Sequence, residues 1–403
     1  MEWKEVRLGD FMQCNPKRTI KKGQKARKIT MDLLIPHSKT IRNWNYEPYS
    51  GGAKFQNGDT IMARITPCLE NGKHAFVSIL DEGEIAYGST EYFVFCGKEK
   101  VSDNDFVYYL TQTPLFRDTA IKSMVGSSGR QRAQMDVLEN LKMFVPKDIS
   151  DQRRIASILS SLDRKIELNN KINADLEEMA QAIFKNWFVD FEPFKDGKFV
   201  DSELGMIPEG WKVGCLGDMG AVVCGKTPSK SNSNYYEGDI PFIKIPDMHG
   251  NVFVENSEDR LTEEGSLSQI KKLIPPYSLM VSCIATVGLV SINTKPSHTN
   301  QQINTVIPHN KSALFYLYQH IKNNEEFLKN MGRGGTTTLN VNTKSFSNIR
   351  LLIPSEIALD QFHGIVEGLF KKIELNMHES RTLSLLRDTL LPRLMSGELE
   401  VPE

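Results

Sequence analysis

The chain repeats its own sequence at an offset of about 208 residues, and this repeat limits the possible folds more than any other feature. Residues 3–10 (WKEVRLGD) return as residues 211–218 (WKVGCLGD), and residues 165–169 (KIELN) return unchanged as residues 372–376. Chance matches do not keep one offset over half a chain. The sequence therefore predicts two copies of one structural plan.

Each copy combines a β-rich module with a long helical segment. Short apolar runs with strand character occur at residues 60–65, 92–96 and 279–284, and Gly, Pro, Asn and Asp separate them. We therefore predict an α+β fold built as two tandem repeats. The predicted boundaries are a first module at residues 1–150, a central helix at 151–192, a second module at 193–356 and a C-terminal helix at 357–403.

Both helical segments carry apolar residues at alternating gaps of four and three, which is the pattern of a coiled-coil seam. Helices with the same seam are expected to pair with each other. A helix of about 37 residues is about 55 Å long, so such a pair would hold the two modules apart. The predicted seam residues are Ile155, Leu159, Leu162, Ile166, Asn169, Leu176 and Ile183 in the first helix, and Val366, Leu369, Ile373, Asn376, Leu383 and Leu390 in the second.

Polar residues interrupt the seam at matching places, namely Asn169 and Asn173 in the first helix and Asn376 and Ser380 in the second. Buried polar residues in a seam fix register and partner choice at a cost in stability. The alternative is that these side chains face solvent where the helices diverge. The sequence leaves both possibilities open.

The composition excludes several classes of protein. The formal net charge is −1, so any surface for a polyanion must come from local clustering. The six cysteines form no C-x-x-C pair, which argues against zinc and disulfides and favours a reducing cytoplasm. Residues 1–10 are charged throughout, unlike a secretory leader. The uncharged residues 273–294 contain two prolines and are better explained as two buried strands than as a membrane span.

Two short motifs resemble parts of enzymes but lack essential elements. Residues 220–227 match the G-x-x-x-x-G-K-[ST] phosphate loop, yet Pro228 and a run of Ser and Asn follow where a helix is required. Residues 274–277 (IPPY) resemble the target-base element of adenine methyltransferases, but Ile274 cannot form the hydrogen bond that its position needs. We expect no catalytic residue and no metal site in this chain.

The first module carries a candidate surface for binding a polyanion. Between Phe11 and Thr30 there are seven basic residues and no acidic one, although a solvated loop is the alternative explanation. A glycine-containing loop at residues 126–132 adds long donors that suit base edges in a major groove. The candidate contacts are Lys17, Arg18, Lys21, Lys22, Arg27, Lys28, Arg42, Arg64, Ser89, Thr90, Arg130, Gln131 and Arg132.

Corresponding places in the second module carry different polar residues. The two copies agree most in their openings, helix entries and seams, and least in these loops. Recognition of two different targets by one scaffold would produce this pattern. Divergence of the loop sequences after duplication, without any change of function, would produce it as well. The candidate contacts are Lys226, Thr227, Lys230, Asn232, Tyr235, Asn300, Gln301, Gln302, Arg333, Thr336 and Thr337.

Four kinds of motif recur or occur in a fixed order along the chain. They are the W-x-x-x-x-L-G-D openings at Trp3 and Trp211, residues 225–228 (GKTP) followed by residues 236–242 (YEGDIPF), the Asp-Gln helix entries at Gln152 and Gln361, and the closing residues 391–399 (LPRLMSGEL). In their order and duplication, these motifs resemble the DNA-specificity (S) subunit of type I restriction–modification systems. The resemblance covers essentially the whole chain. The first module departs from the pattern, because residues 15–18 (NPKR) stand where the second module has GKTP.

The resemblance implies two target-recognition domains, each reading half of a bipartite site in double-stranded DNA. It implies that the two helices pair antiparallel and fix the half-site spacing. It further implies that two methyltransferase (M) subunits and the restriction (R) subunits dock on this chain. S-adenosylmethionine, ATP and Mg²⁺ would then belong to those partners, and this chain would be non-catalytic, cytoplasmic and without a cofactor of its own.

Three alternatives stay open at this point. The first is a specificity subunit of a related system whose partner fuses cleavage and methylation. The second is a nucleotide hydrolase that uses residues 225–227. The third is a scaffold that binds two proteins and no DNA.

Overall fold

The computed structural model of the chain describes residues 1–333 and 339–401. The predicted contacts Thr336 and Thr337 lie outside the described residues. The chain divides into two compact units, of which unit 1 comprises Met1–Asn169 with Glu379–Glu403 and unit 2 comprises Asn170–His378. Each unit therefore contains one β-rich module and one part of each long helix.

The first module folds from ten short strands and four short helices. Turn residues bound most strands, as the sequence predicts. The strands are β1 (Trp3–Arg7), β2 (Met12–Cys14), β3 (Lys25–Ile29), β4 (Asn45–Pro48), β5 (Lys54–Phe55), β6 (Thr60–Ala63), β7 (His74–Phe76), β8 (Ala86–Gly88), β9 (Tyr92–Gly97) and β10 (Lys142–Pro146). The helices are α1 (Leu8–Phe11), α2 (Asn104–Leu110), α3 (Pro114–Lys122) and α4 (Met135–Asn140).

A long helix and a short linking hairpin precede the second module. These elements are α5 (Ile149–Phe188), β11 (Phe199–Val200) and β12 (Ile207–Pro208). The strands of the module are β13 (Lys212–Cys215), β14 (Gly220–Cys224), β15 (Tyr236–Ile243), β16 (Phe253–Val254), β17 (Arg260–Leu261), β18 (Leu279–Ser282), β19 (Val290–Asn293), β20 (His298–Thr299), β21 (Ile303–Pro308) and β22 (Arg350–Ile353). Its helices are α6 (Leu216–Met219), α7 (Ile245–Met248), α8 (Glu263–Leu267), α9 (Leu314–Asn323), α10 (Glu325–Gly332) and α11 (Thr343–Ser347), and the second long helix α12 (Glu356–Met395) follows.

The two modules share one strand topology. The first has a sheet of order β2-β9-β6-β7, and the second has β14-β21-β18-β19 with β16 added at the edge. A second sheet in each module contains a parallel pair, β3 with β8 and β15 with β20. A separate antiparallel ribbon joins the two ends of each module, β1 with β10 and β13 with β22. The predicted tandem repeat and the mixed α and β character are confirmed.

Strands occur where the sequence predicts them. The runs at residues 60–65, 92–96 and 279–284 form β6, β9 and β18. The uncharged residues 273–294 include the antiparallel pair β18–β19, whose residues are almost all buried. Among the described residues no helix is both long and apolar enough to span a membrane.

The predicted seam residues lie on the covered faces of the long helices. Ile155, Leu159, Val366 and Ile373 are completely buried, and the remaining apolar seam residues are half-buried. By contrast, the off-seam residue Leu168 is 51% exposed. Ala180, Phe184 and Phe370, which lie outside the predicted set, are buried as well. The assignment of the predicted residues to a coiled-coil seam stays a prediction.

The three asparagines of the seam are buried and hydrogen-bonded. In unit 1, Asn169 Nδ2 donates to Glu379 Oε2 at 2.8 Å and to Ser380 Oγ at 3.2 Å. In unit 2, Asn376 Nδ2 donates to Asn173 Oδ1 at 2.9 Å. Asn169 and Asn376 are at most 1% exposed, so the alternative that they face solvent is wrong. Because a buried amide without a partner costs about 1–3 kcal/mol, these contacts favour one register of the helices.

The hydrophobic core of unit 1 contains residues from distant parts of the chain. Leu391, Leu394 and Met395 of α12 pack in the same cluster as Phe11 and Phe106 of the first module. In unit 2, Phe184 and Phe188 of α5 join Phe362 of α12 and Tyr316 of α9 in one aromatic cluster. Each module is thus packed on parts of both long helices.

Two histidines with lowered pKa values predict that unit 2 loses stability in acid. Burial lowers the pKa of His298 and of His320 from 6.5 to about 4. Between these values the unfolded chain binds protons that the folded chain does not, so the free energy of unfolding falls as pH falls below 6.5 and is fully retained above it. We expect each imidazole to contribute a loss of about 2 kcal/mol between about pH 7.5 and about pH 5.

Urea denaturation at the two pH values measures this loss. The variant His320→Gln should show a smaller difference between them, whereas His249→Gln, which changes an exposed histidine, should match the wild type. An unchanged pH dependence in His320→Gln would contradict the assignment.

Candidate nucleic-acid interface

Three loops of the first module converge at the carboxyl ends of β6 and β8. Backbone hydrogen bonds join them, since Arg64 N donates to Glu91 O at 2.9 Å, Thr66 N to Gln131 O at 3.0 Å and Ala133 N to Arg64 O at 2.8 Å. We call residues 64–67, 89–91 and 125–133 loop cluster 1. The predicted contacts Arg64, Ser89, Thr90, Arg130, Gln131 and Arg132 all lie in it.

An ion pair organises loop cluster 1. Arg132 Nε and Nη2 donate to the Glu91 carboxylate, with the shortest contact at 2.7 Å, and this partner lowers the pKa of Glu91. The guanidinium of Arg64 lies 4.8 Å above the Phe93 ring. Arg130 is exposed, and its side chain has no partner within the described parts of the chain. Arg130 is therefore the arginine of the cluster whose donors are most available to a ligand.

The tip of residues 125–133 depends on two glycines. Gly126 and Gly129 have φ values of +136° and +78°, which side-chain-bearing residues rarely adopt. Arg130 N donates to Ser127 O at 3.0 Å and closes the turn between them. This tight turn holds Arg130 at the surface beside Arg132.

Equivalent loops of the second module also converge. Cys283 N donates to Gln302 O at 2.8 Å, Ala285 N to Leu339 O at 3.0 Å and Lys226 N to Thr299 O at 2.9 Å. We call residues 225–227, 283–289, 300–302 and 339–341 loop cluster 2. It contains the predicted contacts Lys226, Thr227, Asn300, Gln301 and Gln302.

The polar groups of loop cluster 2 are mainly amides and hydroxyls. Thr227 Oγ1 donates to Gln301 Oε1 at 2.7 Å, and Asn300 Nδ2 donates to Gln302 Oε1 at 2.9 Å. Gly225 is required here, because a Cβ would lie 2.1 Å from Asn300 O. Lys226 is exposed and supplies the cation of the cluster. The two clusters thus occupy equivalent positions in one topology and present different chemistry.

The structure does not support a phosphate-binding loop at residues 220–227. Gly220–Cys224 is strand β14, which pairs antiparallel with β21, and no helix follows it before the short turn at Ser233–Tyr235. Gly225 and Lys226 instead use their backbone N–H groups to bond Ile303 O and Thr299 O. The donors that would hold a phosphate are therefore occupied.

Residues 274–277 form a turn before a buried strand. Ile274 is completely buried and bridges Ser297. Tyr277 is 48% exposed, and its hydroxyl donates to Glu374 Oε1 at 3.3 Å. These contacts explain the motif as a structural turn beside α12.

The basic run of the first module lies outside loop cluster 1, and three of its six candidates, together with the neighbouring Arg42, have acidic partners. Arg18 pairs with Asp59 at 2.7 Å, where a nearly buried carboxylate requires a cation. The other three pairs are Arg27 with Asp81 and Glu84, Lys28 with Glu47, and Arg42 with Glu167 of α5. These cations stabilise the module itself, and their assignment to a polyanion stays a prediction.

Four remaining candidates have local roles or lie apart from the clusters. Asn232 Oδ1 accepts from Asn234 N at 3.2 Å, and Arg333 Nη1 donates to Asn330 Oδ1 at 2.7 Å. Tyr235 O accepts from Thr262 N at 3.0 Å. Lys230 is exposed. Among the described residues, none of the four side chains forms a hydrogen bond or an ion pair with loop cluster 2.

The sequence did not single out the loop at residues 283–289 or the position of Asn340. An isolated bridge joins Ile284 to Asn340, and the matching bridge in the first module joins Ile65 to Arg132. Ala285 has a φ of +64°, which marks a tightly constrained backbone. Aligning the two repeats around Arg132 is the only signal that could have indicated these residues.

Comparison with known proteins identifies this arrangement. The family model described as "Type I restriction modification DNA specificity domain" matches residues 1–178 and again residues 208–383. The chain belongs to the type I restriction–modification DNA-specificity family. The two matched regions coincide with the two copies of the module and the beginnings of the two long helices.

Relatives of this specificity subunit support the assignment over its full length. The HindI specificity subunit of Haemophilus influenzae is 34% identical, with 99% of this chain and 100% of that protein covered. The MjaIX specificity subunit of Methanocaldococcus jannaschii is 30% identical over 74% of this chain and 70% of that protein. The crystal structure of the type I S subunit from M. genitalium has a similar fold, with a TM-score of 0.54 at 14% identity and coverage of 100% and 96%.

No group of three or more His, Cys, Asp or Glu residues suited to a metal ion occurs in residues 1–333 or 339–401. The candidate surface of each domain consists of loops that vary between the two copies on a shared frame, which is where binding residues usually occur.

Proposed function

We propose that this specificity subunit recognises a bipartite double-stranded DNA target, with each loop cluster reading one half. The observation that carries the proposal is the equivalent position of two chemically different clusters in one repeated topology. Exposed Arg130 beside Arg132 offers donors that suit guanine, whereas Gln301 and Gln302 offer both donors and acceptors, as adenine requires. An identical pair of clusters would suit a symmetric target, so the difference favours two unlike half-sites.

The two long helices are proposed to pair as an antiparallel coiled coil that sets the distance between half-sites. The support lies in the residue numbers of the contacts. In unit 1, Asp163 meets Arg387 and Asn169 meets Ser380, so the numbers rise along α5 as they fall along α12. In unit 2, Asn173 meets Asn376. All three pairs are consistent with one antiparallel register of α5 and α12.

Two methyltransferase subunits and restriction subunits are the proposed protein partners. The support is the repeat, because two similar module–helix surfaces suit two copies of one partner. Methylation with S-adenosylmethionine and cleavage driven by ATP and Mg²⁺ would take place on those partners. The proposed role of this chain is to select the site in the cytoplasm, without a cofactor of its own.

Single substitutions in the clusters test this division of labour. In the complex with its methyltransferase, Arg130→Ala should weaken discrimination at one position of one half-site by about 1–3 kcal/mol and leave the other half unchanged. Gln301→Ala should have the reciprocal effect. Mapping methylated adenines across a genome or a randomised library provides the measurement.

The matched control is Arg153→Ala, which removes an exposed arginine of α5 outside both clusters. It should leave both half-sites unchanged. If Arg130→Ala weakened binding equally on all DNA, Arg130 would contact phosphate and would not read a base. If the wild-type complex showed no defined target, the proposed function itself would be wrong.

A further inference from the structure

Four of the seven basic residues between Phe11 and Thr30 have no acidic partner among the described residues. Lys17, Lys21, Lys22 and Lys25 are all exposed. Within residues 1–333 and 339–401, no carboxylate lies within ion-pair distance of any of these four ammonium groups. We call these four residues the lysine strip. They differ in this respect from Arg18, Arg27 and Lys28, whose positive charges are neutralised by acidic partners in the fold.

Two exposed aromatic side chains line a groove together with Lys25, the last residue of the lysine strip. A groove of about 700 Å³ is lined by Lys25, Arg27, Trp44 and Tyr46, among others. Tyr46 is 64% exposed, and the Arg27 guanidinium lies 5.0 Å above the Trp44 ring. The acidic residues in the groove, Asp81 and Glu84, are paired with Arg27. A groove that combines a lysine with aromatic rings suits a nucleic-acid backbone, because the ammonium group can contact phosphate and the rings can pack against sugar.

Lys25, the last residue of the lysine strip, begins β3, and loop cluster 1 includes the residues that follow β8 in the same sheet. Strands β3 and β8 are parallel, with Lys28 opposite Tyr87 and Ile29 opposite Gly88. Lys25 therefore lies at the amino end of this strand pair and Ser89 lies just beyond its carboxyl end, about 13–17 Å away at the rise of a strand. This distance is less than half of the roughly 34 Å helical turn of DNA, so one duplex can reach both.

We infer that the lysine strip is a DNA-backbone contact that supplies affinity without reading sequence, and that only the first recognition domain has it. This inference rests on the proposed function. The equivalent segment of the second module, between β14 and β15, has two lysines, Lys226 and Lys230, and the first of these lies in loop cluster 2. The two domains would therefore differ in how much of their binding depends on salt.

The salt dependence of binding tests the inference. Removing one phosphate contact reduces the slope of log affinity against log salt by about 0.9. For the complex with its methyltransferase, the variant K17Q/K21Q/K22Q/K25Q should reduce this slope by about two to four on a fluorescent duplex with the mapped target. Affinity at about 0.1 M salt should fall at least about tenfold, with the set of methylated sequences unchanged.

A variant with the same charge change elsewhere is the control. K198Q/K212Q/K271Q/K311Q removes four exposed lysines of unit 2 and should leave the slope close to that of the wild type. An unchanged slope in the strip variant, or an equal reduction in the control, would overturn the inference. A changed target sequence would also overturn it, because the lysines would then read bases. In all three cases a defined bipartite target in the wild type would leave the proposed function intact.

Discussion

Inserting seven residues into each long helix is expected to lengthen the gap between half-sites by about three base pairs, with the half-site sequences unchanged. The boundary between the units offers insertion points after Asn169 in α5 and after His378 in α12, where no contact within either unit is interrupted. A heptad preserves the seam and adds about 10 Å, which corresponds to about three base pairs at 34 Å for each turn of about ten.

DNA twist makes this test more stringent. Three additional base pairs rotate one half-site by about 100° relative to the other, so the single-heptad variant should methylate slowly. Three heptads add about 31 Å, or about nine base pairs, which returns both half-sites to nearly the same side of the duplex. Methylation should therefore recover in the longer variant, and methylome sequencing reports both the gap and the rate.

An insertion in α5 alone is the control, because it shifts one helix against the other by two turns. It should break either the hydrogen bond between Asn169 and Ser380 or the one between Asn173 and Asn376. The complex should then no longer methylate one defined target sequence. A gap that stays constant in the doubly inserted variants would show that the helices do not set the spacing.

Removing Arg387 is expected to destabilise unit 1 by about 3–5 kcal/mol. Arg387 Nη1 of α12 donates to Asp163 Oδ1 of α5 at 2.7 Å, and the Tyr109 hydroxyl of α2 donates to the other carboxylate oxygen at 2.5 Å. The side chains of Arg387 and Asp163 are 14% and 7% exposed. The variant Arg387→Ala leaves a buried carboxylate without its cation, which is the source of the loss.

The repeat itself supplies the compensating variant. At an offset of 207 residues, Arg387 and Asp163 correspond to Ala180 and Phe370, which are both completely buried. The double variant Asp163→Phe/Arg387→Ala should therefore recover much of the stability, since apolar replacement of a whole buried ion pair is often neutral. Urea denaturation of the four proteins forms the double-mutant cycle.

A surface pair provides the control for this cycle. Arg393 and Glu398 are 44% and 60% exposed, and Arg393→Ala should cost less than about 1 kcal/mol. Equal losses for Arg387→Ala and Arg393→Ala would show that the buried pair contributes no more than an ordinary surface pair.

The helices could be predicted from sequence because their signal is local and periodic. Apolar gaps of four and three mark Ile155, Leu159 and Leu162 directly, and the structure buries that face. The repeat could be predicted because equal offsets are visible without any structure. Whether Asn169 and Asn376 faced solvent could not be decided, because the answer depends on the partner helix about 200 residues away.

The candidate interface was predicted only in part. Residue type and loop composition indicated Arg130, Gln131 and Arg132, but not the pairing of Arg132 with Glu91, which is 41 residues away along the chain. The same limitation applies to Arg18, whose partner Asp59 is also 41 residues distant. Charge counting finds basic residues, whereas the fold decides which of them remain available to a ligand.

The composition of unit 1 from two separate stretches of chain has a consequence for biosynthesis. Residues 170–378 form unit 2 as one continuous segment, whereas unit 1 is completed by residues 379–401, which are translated after all of unit 2. Until then the first recognition domain lacks Leu391, Leu394 and Met395, and its apolar surface stays open to water. The first recognition domain therefore stays without its complete core while the whole of unit 2 is translated, which prolongs the exposure of its apolar surface.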